Sequence, residues 1–278
     1  MEFVKKIRFL LLIPKHRKLS KEIAMNTLLA SYSKLLFYLI LEKYFGKGRK
    51  QETVFGFKIF FYDYETFVAL FESIFIEHEY YFKSNKQSPR IIDLGSNIGL
   101  TVLYFKILYP KSEIQAFEPD PQTFEVLKKN VRINKIRNVK LFDIALSRKK
   151  GDAYFYIDSK NPGSLMMSLN KKRYGRNRIK VKTDLLSNYI PKQLDLLKMD
   201  VEGAEEQIII EISITKALRK IKYMIFEYHH HIDLDQDSFS KTLRLLEREG
   251  FGYQIVSKLR SPIKDFLFQD ILVYARKK

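Results

Sequence analysis

Along this chain the hydrophobic period alternates between the two-residue rhythm of strands and the three-to-four-residue rhythm of helices. The sharpest case begins at Arg90. Ile91, Ile92 and Leu94 form a short apolar run broken only by Asp93, the pattern of a strand buried on both faces of a parallel sheet. Gly95 and Gly99 bracket a turn where missing Cβ atoms allow a sharp bend and close approach of a ligand. Ile98, Val102, Phe105 and Leu108 then recur at helical spacing, and Pro110 ends the helix. The next apolar run, residues 114–117, terminates in Glu118. Strand, glycine turn, helix, strand, acid is a βαβ nucleotide-binding unit whose carboxylate is placed to accept hydrogen bonds from two ribose hydroxyls.

The same rhythm predicts the flanking elements. Residues 23–45 read as a helix with Met25, Leu28, Leu29, Tyr32, Leu36, Leu39 and Ile40 on one wide face. Residues 54–62 read as a strand or hairpin, and 65–82 as a helix with Phe67, Phe71, Ile74 and Phe75 inward. After a polar linker at 84–89 and the βαβ unit, Asp120 caps a helix that starts with Pro121 and buries Phe124, Leu127 and Val131. Residues 139–142 are a third strand, with Asp143 at its end near the expected adenine. Segments 151–158 and 179–183 alternate as a pair of strands. Residues 194–199 form a buried strand that runs into Asp200-Val-Glu-Gly-Ala-Glu and a helix through Ile212. A strand at 223–226 ends in Glu227-Tyr-His-His-His, a helix starts at Asp237 or Ser238 and stops at Gly250, and strands at 253–258 and 268–275 follow.

Strands alternating with helices indicate an α/β fold, a mostly parallel sheet with helices on both faces. In such sheets ligands bind beyond the carboxyl ends of the strands. The polar clusters at 93–97, Glu118, Asp143, 200–202 and 227–231 all fall there. Three parts are expected: a basic helical segment at 1–50, a lead-in at 51–88, and the α/β domain at 89–278.

What the turn lacks narrows the ligand. A dinucleotide fingerprint needs a middle glycine where this chain has Asn97, and no Gly-Lys-Ser/Thr phosphate loop follows. A phosphate-free adenosine cofactor fits, and S-adenosylmethionine is the common one. Asp93, Gly95, Ser96, Asn97, Gly99, Glu118 and Asp143 are the expected cofactor contacts.

The chain has 278 residues, 46% of them hydrophobic, and no cysteine, which excludes disulfides and thiolate chemistry and accords with a cytoplasmic setting. Its longest early apolar run, residues 35–41, falls short of the roughly 20 residues of a membrane span. The net charge of +18 favours anionic partners. Residues 1–50 hold twelve Lys or Arg against three Glu, so half of that charge lies in the first fifth of the chain. The helix there is expected to pack on its own domain, on a second subunit, or on an anionic membrane surface.

Ile-Asp-Leu-Gly-Ser-Asn-Ile-Gly at 92–99, Phe-Glu-Pro-Asp-Pro at 117–121, Ala-Leu-Ser at 145–147 and Lys-Met-Asp-Val-Glu-Gly-Ala-Glu at 198–205 resemble the FkbM family of S-adenosylmethionine-dependent methyltransferases. The likeness covers roughly residues 70–278. It implies a Rossmann-like seven-stranded methyltransferase sheet with an antiparallel last strand, Ala145 among the cofactor contacts, and O-methylation of a sugar, glycan or glycolipid, or natural-product hydroxyl. Asp200, Glu202 and His229 are then the candidate catalytic residues, Asp200 orienting the acceptor or taking its proton and Glu202 helping to hold it. The basic stretch 171–182 is expected to close over the acceptor.

Other readings share the fold. The charge fits an RNA methyltransferase acting on ribose through Lys198 and Asp200, although the loop after the fourth strand is not the Asn/Asp-Pro-Pro-aromatic type that resembles base methylation. A non-catalytic adaptor at a membrane surface would bind no cofactor. Tyr156 and Lys160 have the spacing of a dehydrogenase pair but sit on a predicted strand, where they share no helical face. No metal ligand set is assigned: Asp233, Asp235 and Asp237 begin like a calcium loop, but Ser238 and Arg244 replace its glycine and bidentate glutamate.

Overall fold

The computed structural model describes residues 23–46, 48–157, 167–171, 177–230, 238–257 and 269–278. The segment at 3–13, most of the basic loop between the paired strands, His231 and the aspartates 233–237 lie outside the described residues.

Helix α1, Met25–Phe45, is followed by a hairpin of β1, Gln51–Val54, and β2, Phe57–Phe60, then by α2, Tyr64–Phe71. The α/β domain runs through β3 Arg90–Leu94, α3 Leu100–Leu108, β4 Glu113–Phe117, α4 Pro121–Ile133, β5 Val139–Phe142, β6 Ala145–Leu146, β7 Gly151–Ile157, β8 Asn177–Asp184, β9 Leu194–Met199, α5 Glu205–Ile214, β10 Ile221–His230, α6 Phe239–Arg248, β11 Phe251–Ser257 and β12 Gln269–Lys277. Seven strands form one sheet in the order β11-β12-β10-β9-β3-β4-β5. Only β12 runs against its neighbours, pairing antiparallel with both β10 and β11. The expected mixed α/β fold with an antiparallel last strand is therefore present. A second sheet, β6-β8-β7, contains the predicted strand pair and adds the two-residue β6.

Side-chain alternation sorts the buried residues into two layers. Ile91, Leu196 and Ile225 face a core shared with α1, α2 and α3, whereas Ile92, Leu197 and Met224 face one built with α5 and α6. The sequence-predicted face of α1 is occupied within the chain: Leu28, Tyr32 and Leu36 are buried, and the Tyr32 hydroxyl donates to Glu72 at 2.7 Å. No described helix is long and apolar enough to cross a membrane.

Two elements depart from the sequence pattern. The helix predicted over 65–82 ends at Phe71 and continues as a π-helical turn, Glu72–Ile76, before His78 takes a φ of 54°. Ile74, Phe75 and Ile76 are all buried, and three successive inward residues do not fit one face of a 3.6-residue helix. Strand β10 runs on past Phe226 to His230. Its pairing with β9 stops at Phe226, but β12 pairs with it from Tyr223 to His230, so Glu227 and His229 belong to a strand rather than a loop.

The lead-in is docked by two asparagines one helical turn apart. Asn130 accepts from Phe60 N at 2.8 Å and donates to Phe60 O and Ile98 O, each at 2.9 Å. Asn134, just past α4, makes the matching pair with Lys58 N and O, both at 2.8 Å. Four helical residues rise about 6 Å and two strand residues about 6.7 Å, so the amides reach alternate residues of β2 as a neighbouring strand would. Asn130→Leu leaves these backbone groups without partners and is expected to lower stability by about 3 kcal/mol, read by urea unfolding. A change within 0.5 kcal/mol is the contrary result.

Candidate active site

At the end of β3 the chain reverses through Gly95, φ 72°, and Asn97, φ 47°. The reason for glycine at 95 is internal. A Cβ there would stand 1.9 Å from the backbone oxygen of Asp200, where the chain leaves β9. At Gly99, φ 92°, a Cβ would stand 2.7 Å from Leu127 in α4. The sequence pattern suggested room for a ligand; the structure uses that room for its own chain at both positions.

The turn is held from β4. Gly95 N and Ser96 N both donate to Phe117 O, at 3.1 and 2.9 Å. The two oxygens of Glu118 accept from Asn97 N and Asp120 N, each at 3.0 Å. Glu118 is 5% exposed. Burial pushes its carboxyl up to about 8, against the pull of the Asp120 and Asn97 amides. Asp120 also caps α4 through Thr123 N at 2.8 Å, so this end of the site is fixed by a helix.

A cavity of about 320 Å³ opens over the turn, within the size range of small-molecule sites. Gly95, Ser96, Asn97, Glu118 and Ala145 line it, together with Asp200, Glu202 and His229. The remaining predicted contacts are placed elsewhere. Asp93 is fully buried beneath the turn, accepting from Thr101 Oγ1 and paired with Lys198 at 3.3 Å. Gly99 starts α3 behind the cavity. Asp143 is exposed and does not line it; Ile144 and Ala145 make that wall, because the chain turns Asp143 outward between β5 and β6.

The lining from β9 and β10 is strongly charged. The Asp200 carboxyl accepts from the Tyr80 hydroxyl at 3.2 Å through Oδ2, while its buried Oδ1 accepts no hydrogen bond among the described residues and stands 3.8 Å from His229 Nε2. His229 lies between carboxylates, Nδ1 2.8 Å from Glu205 and Nε2 3.1 Å from Glu202. Burial alone would discharge the ring, but Glu205 and Glu202 hold its pKa well above the usual histidine range. It is therefore an imidazolium that donates from both nitrogens. Glu205, in the first turn of α5, also accepts from Gly203 N at 3.0 Å, which braces the turn where Glu202 adopts a φ of 57°. Burial, and then Asp200, push Glu227 up to about 9 against the opposing pull of His229. Asp200, Glu227 and His229 each offer a donor atom within 4.8 Å of the others.

Sequence reasoning missed the wall supplied by the lead-in. Leu70, Ser73, Ile74, Glu79 and Tyr80 line the cavity, and Tyr274 in β12 donates to Glu79 O at 2.8 Å, fastening that wall to the sheet. No motif marks these residues, so nothing in the sequence signalled them. Where the basic stretch is described, Lys180 and Lys182 lie on β8, the second of the predicted strand pair, and pair with Asp152 at 3.1 and 2.7 Å.

Residues 93–254 match the model of the methyltransferase FkbM domain. The chain is 30% identical over 172 residues to methyltransferase sdnD of Sordaria araneosa, covering 50% of this chain and 66% of that protein. It is 30% identical over 160 residues to 2-O-methyltransferase NoeI of Sinorhizobium fredii (51% and 64% covered). Over 146 residues it is 30% identical to hexuronic acid methyltransferase AglP of Haloferax volcanii (51% and 56% covered). It thus spans less than two thirds of the length of these relatives. With the matched residues running from the glycine turn through β9 and β10 to β11, the chain belongs to the methyltransferase FkbM domain family.

Proposed function

We propose that this chain is an S-adenosylmethionine-dependent O-methyltransferase acting on a hydroxyl of a sugar, glycan or glycolipid, or natural-product acceptor. The observation that carries the reading is a cavity lined both by a buried carboxyl, Glu118, and by Asp200, whose Oδ1 accepts no hydrogen bond among the described residues. The relatives act on such acceptors by name, a hexuronic acid in one case and a 2-O position in another.

The residues fit the cofactor chemically. Each Glu118 oxygen already accepts one backbone N–H and keeps a lone pair for a ribose hydroxyl. Ile144, Ala145 and Leu146 offer an apolar wall to adenine. The turn at Gly95–Asn97 holds the adjoining part without a phosphate-binding glycine in the middle.

When bound, the cofactor supplies an electrophilic methyl on a sulfonium, which the acceptor oxygen attacks in line. The chain's task is to hold that oxygen about 3 to 3.5 Å away and to take its proton. Asp200 Oδ1 is the acceptor for that proton, with Tyr80 fixing the other carboxyl oxygen. His229 is a positioning residue: its imidazolium ties Glu202 and Glu205 together and so orients Glu202 toward the acceptor. Glu227 is held largely protonated near neutral pH and can donate to an acceptor oxygen.

Three outcomes test the reading. Glu118→Ala is expected to weaken S-adenosylhomocysteine binding at least about tenfold in titration calorimetry, the loss of one charge-assisted hydrogen bond or more. Unchanged affinity removes the ribose assignment. The hydroxyls favour the ionised carboxyl, so binding by the wild type should tighten as pH rises toward and past the Glu118 value of about 8. A gain of about tenfold between pH 6.5 and 8.5 is expected, and a flat profile contradicts it. Asp200→Asn should cut labelled methyl transfer into a fractionated extract by about 10²- to 10⁴-fold while S-adenosylhomocysteine affinity stays within about twofold. Retained transfer clears Asp200 of the proton-accepting role.

A further inference from the structure

Lys198 occupies a place that its side chain would be expected to avoid. It lies in the middle layer of the sheet, side chain 1% exposed, directly across from Asp93 in the β3–β9 register. Its ammonium is 2.8 Å from Gly95 O, 3.1 Å from Leu94 O and 3.3 Å from Asp93 Oδ1. The two carbonyls accept hydrogen bonds from it, and Asp93 contributes an ion pair. The ammonium also stands 5.0 Å from the Tyr80 ring centroid. Among the described residues lining the cavity it is the sole Lys or Arg.

A buried ion pair is weak evidence for stability, since a packed apolar pair of similar volume often does as well. The geometry gives this lysine a different task. The reversal at Gly95 turns the Leu94 and Gly95 carbonyls toward β9, and Lys198 supplies their donor. From the other side, the Gly95 and Ser96 amides are drawn to Phe117 O. The backbone at 94–96 is thus held between one lysine and one strand end. The ribose end has anchors of its own, because Glu118 is gripped through Asp120 and α4 as well as through Asn97, and Lys198 reaches it only as a charge that favours its ionised form.

We propose that Lys198 is a positioning residue which sets the Gly95 turn to receive the amino-acid portion of the bound cofactor, leaving the nucleoside portion to Glu118. This rests on the methyltransferase reading above. It predicts a split between two ligands that share adenosine and thioether and differ in the amino-acid portion. S-adenosylhomocysteine has that portion; 5′-methylthioadenosine lacks it.

Both are titrated calorimetrically into wild type and Lys198→Met. The expected result is about a tenfold loss or more for S-adenosylhomocysteine with a loss at least about fivefold smaller for methylthioadenosine, which feels the missing charge only through Glu118. Equal losses for the two ligands, or no loss for either, overturn the proposal, since a lysine that only holds the fold together would weaken both alike. Removing the ammonium leaves Asp93 buried without its partner, a change that can unfold the chain. The charge-neutral double variant Asp93→Asn with Lys198→Met leaves no unpaired charge in the sheet there and is read in the same way. Failure of the wild type to bind S-adenosylhomocysteine at all overturns the methyltransferase reading itself, whereas wild-type binding without the ligand split overturns only the role of Lys198.

Discussion

The tightest passage found among the described glycines is that of the Asp200 carbonyl beside Gly95, where a Cβ would stand 1.9 Å from the oxygen. Two adjacent parallel strands, β3 and β9, deliver their carboxyl ends to one point, and only a residue without a side chain lets both pass. Asp200 N donating to Leu94 O at 3.1 Å fixes that crossing. The turn at 95–97 and the acidic turn at 200–203 are therefore one structural unit.

Charge is distributed around this crossing in compensated sets. Lys198 answers Asp93 and two carbonyls; His229 answers Glu202 and Glu205; the Glu118 carboxyl is answered by backbone amides. Each set leaves water at a desolvation cost and recovers part of it through hydrogen bonds and ion pairs. Burial still raises Glu118 to about 8, and burial with Asp200 nearby raises Glu227 to about 9 against the pull of His229. Among the described residues Asp200 Oδ1 accepts no hydrogen bond, and its nearest cation is His229 Nε2 at 3.8 Å.

The lead-in completes the cavity. It is carried onto the domain by the paired amides of Asn130 and Asn134 and by the edge-on packing of Phe75 against Tyr104 of α3, whose ring centroids are 5.5 Å apart. The π-helical turn at 72–76 lets three consecutive apolar residues point inward and delivers Glu79 and Tyr80 over the sheet. These residues lie outside the segment that matches the family model. The wall facing Asp200 is thus supplied by the part of the chain that the family pattern does not specify.

Local pattern was enough to locate the βαβ unit, the sheet's strand-helix order, Glu118 and the acidic turn after β9. Those features are written in short-range periodicity, glycine spacing and capping residues, which act within a few positions of themselves. The helix over 65–82 and the strand at 223–226 were legible in kind but not in extent, because a π-turn and the reach of β12 set their ends from outside. Pairing across the chain decided the rest. Strand β12 carried Glu227 and His229 out into a paired strand, β6 turned Asp143 away, and the β3–β9 register placed Lys198 under Gly95. Where a side chain points at a strand end depends on which neighbour continues beside it, and that neighbour lies far off in sequence.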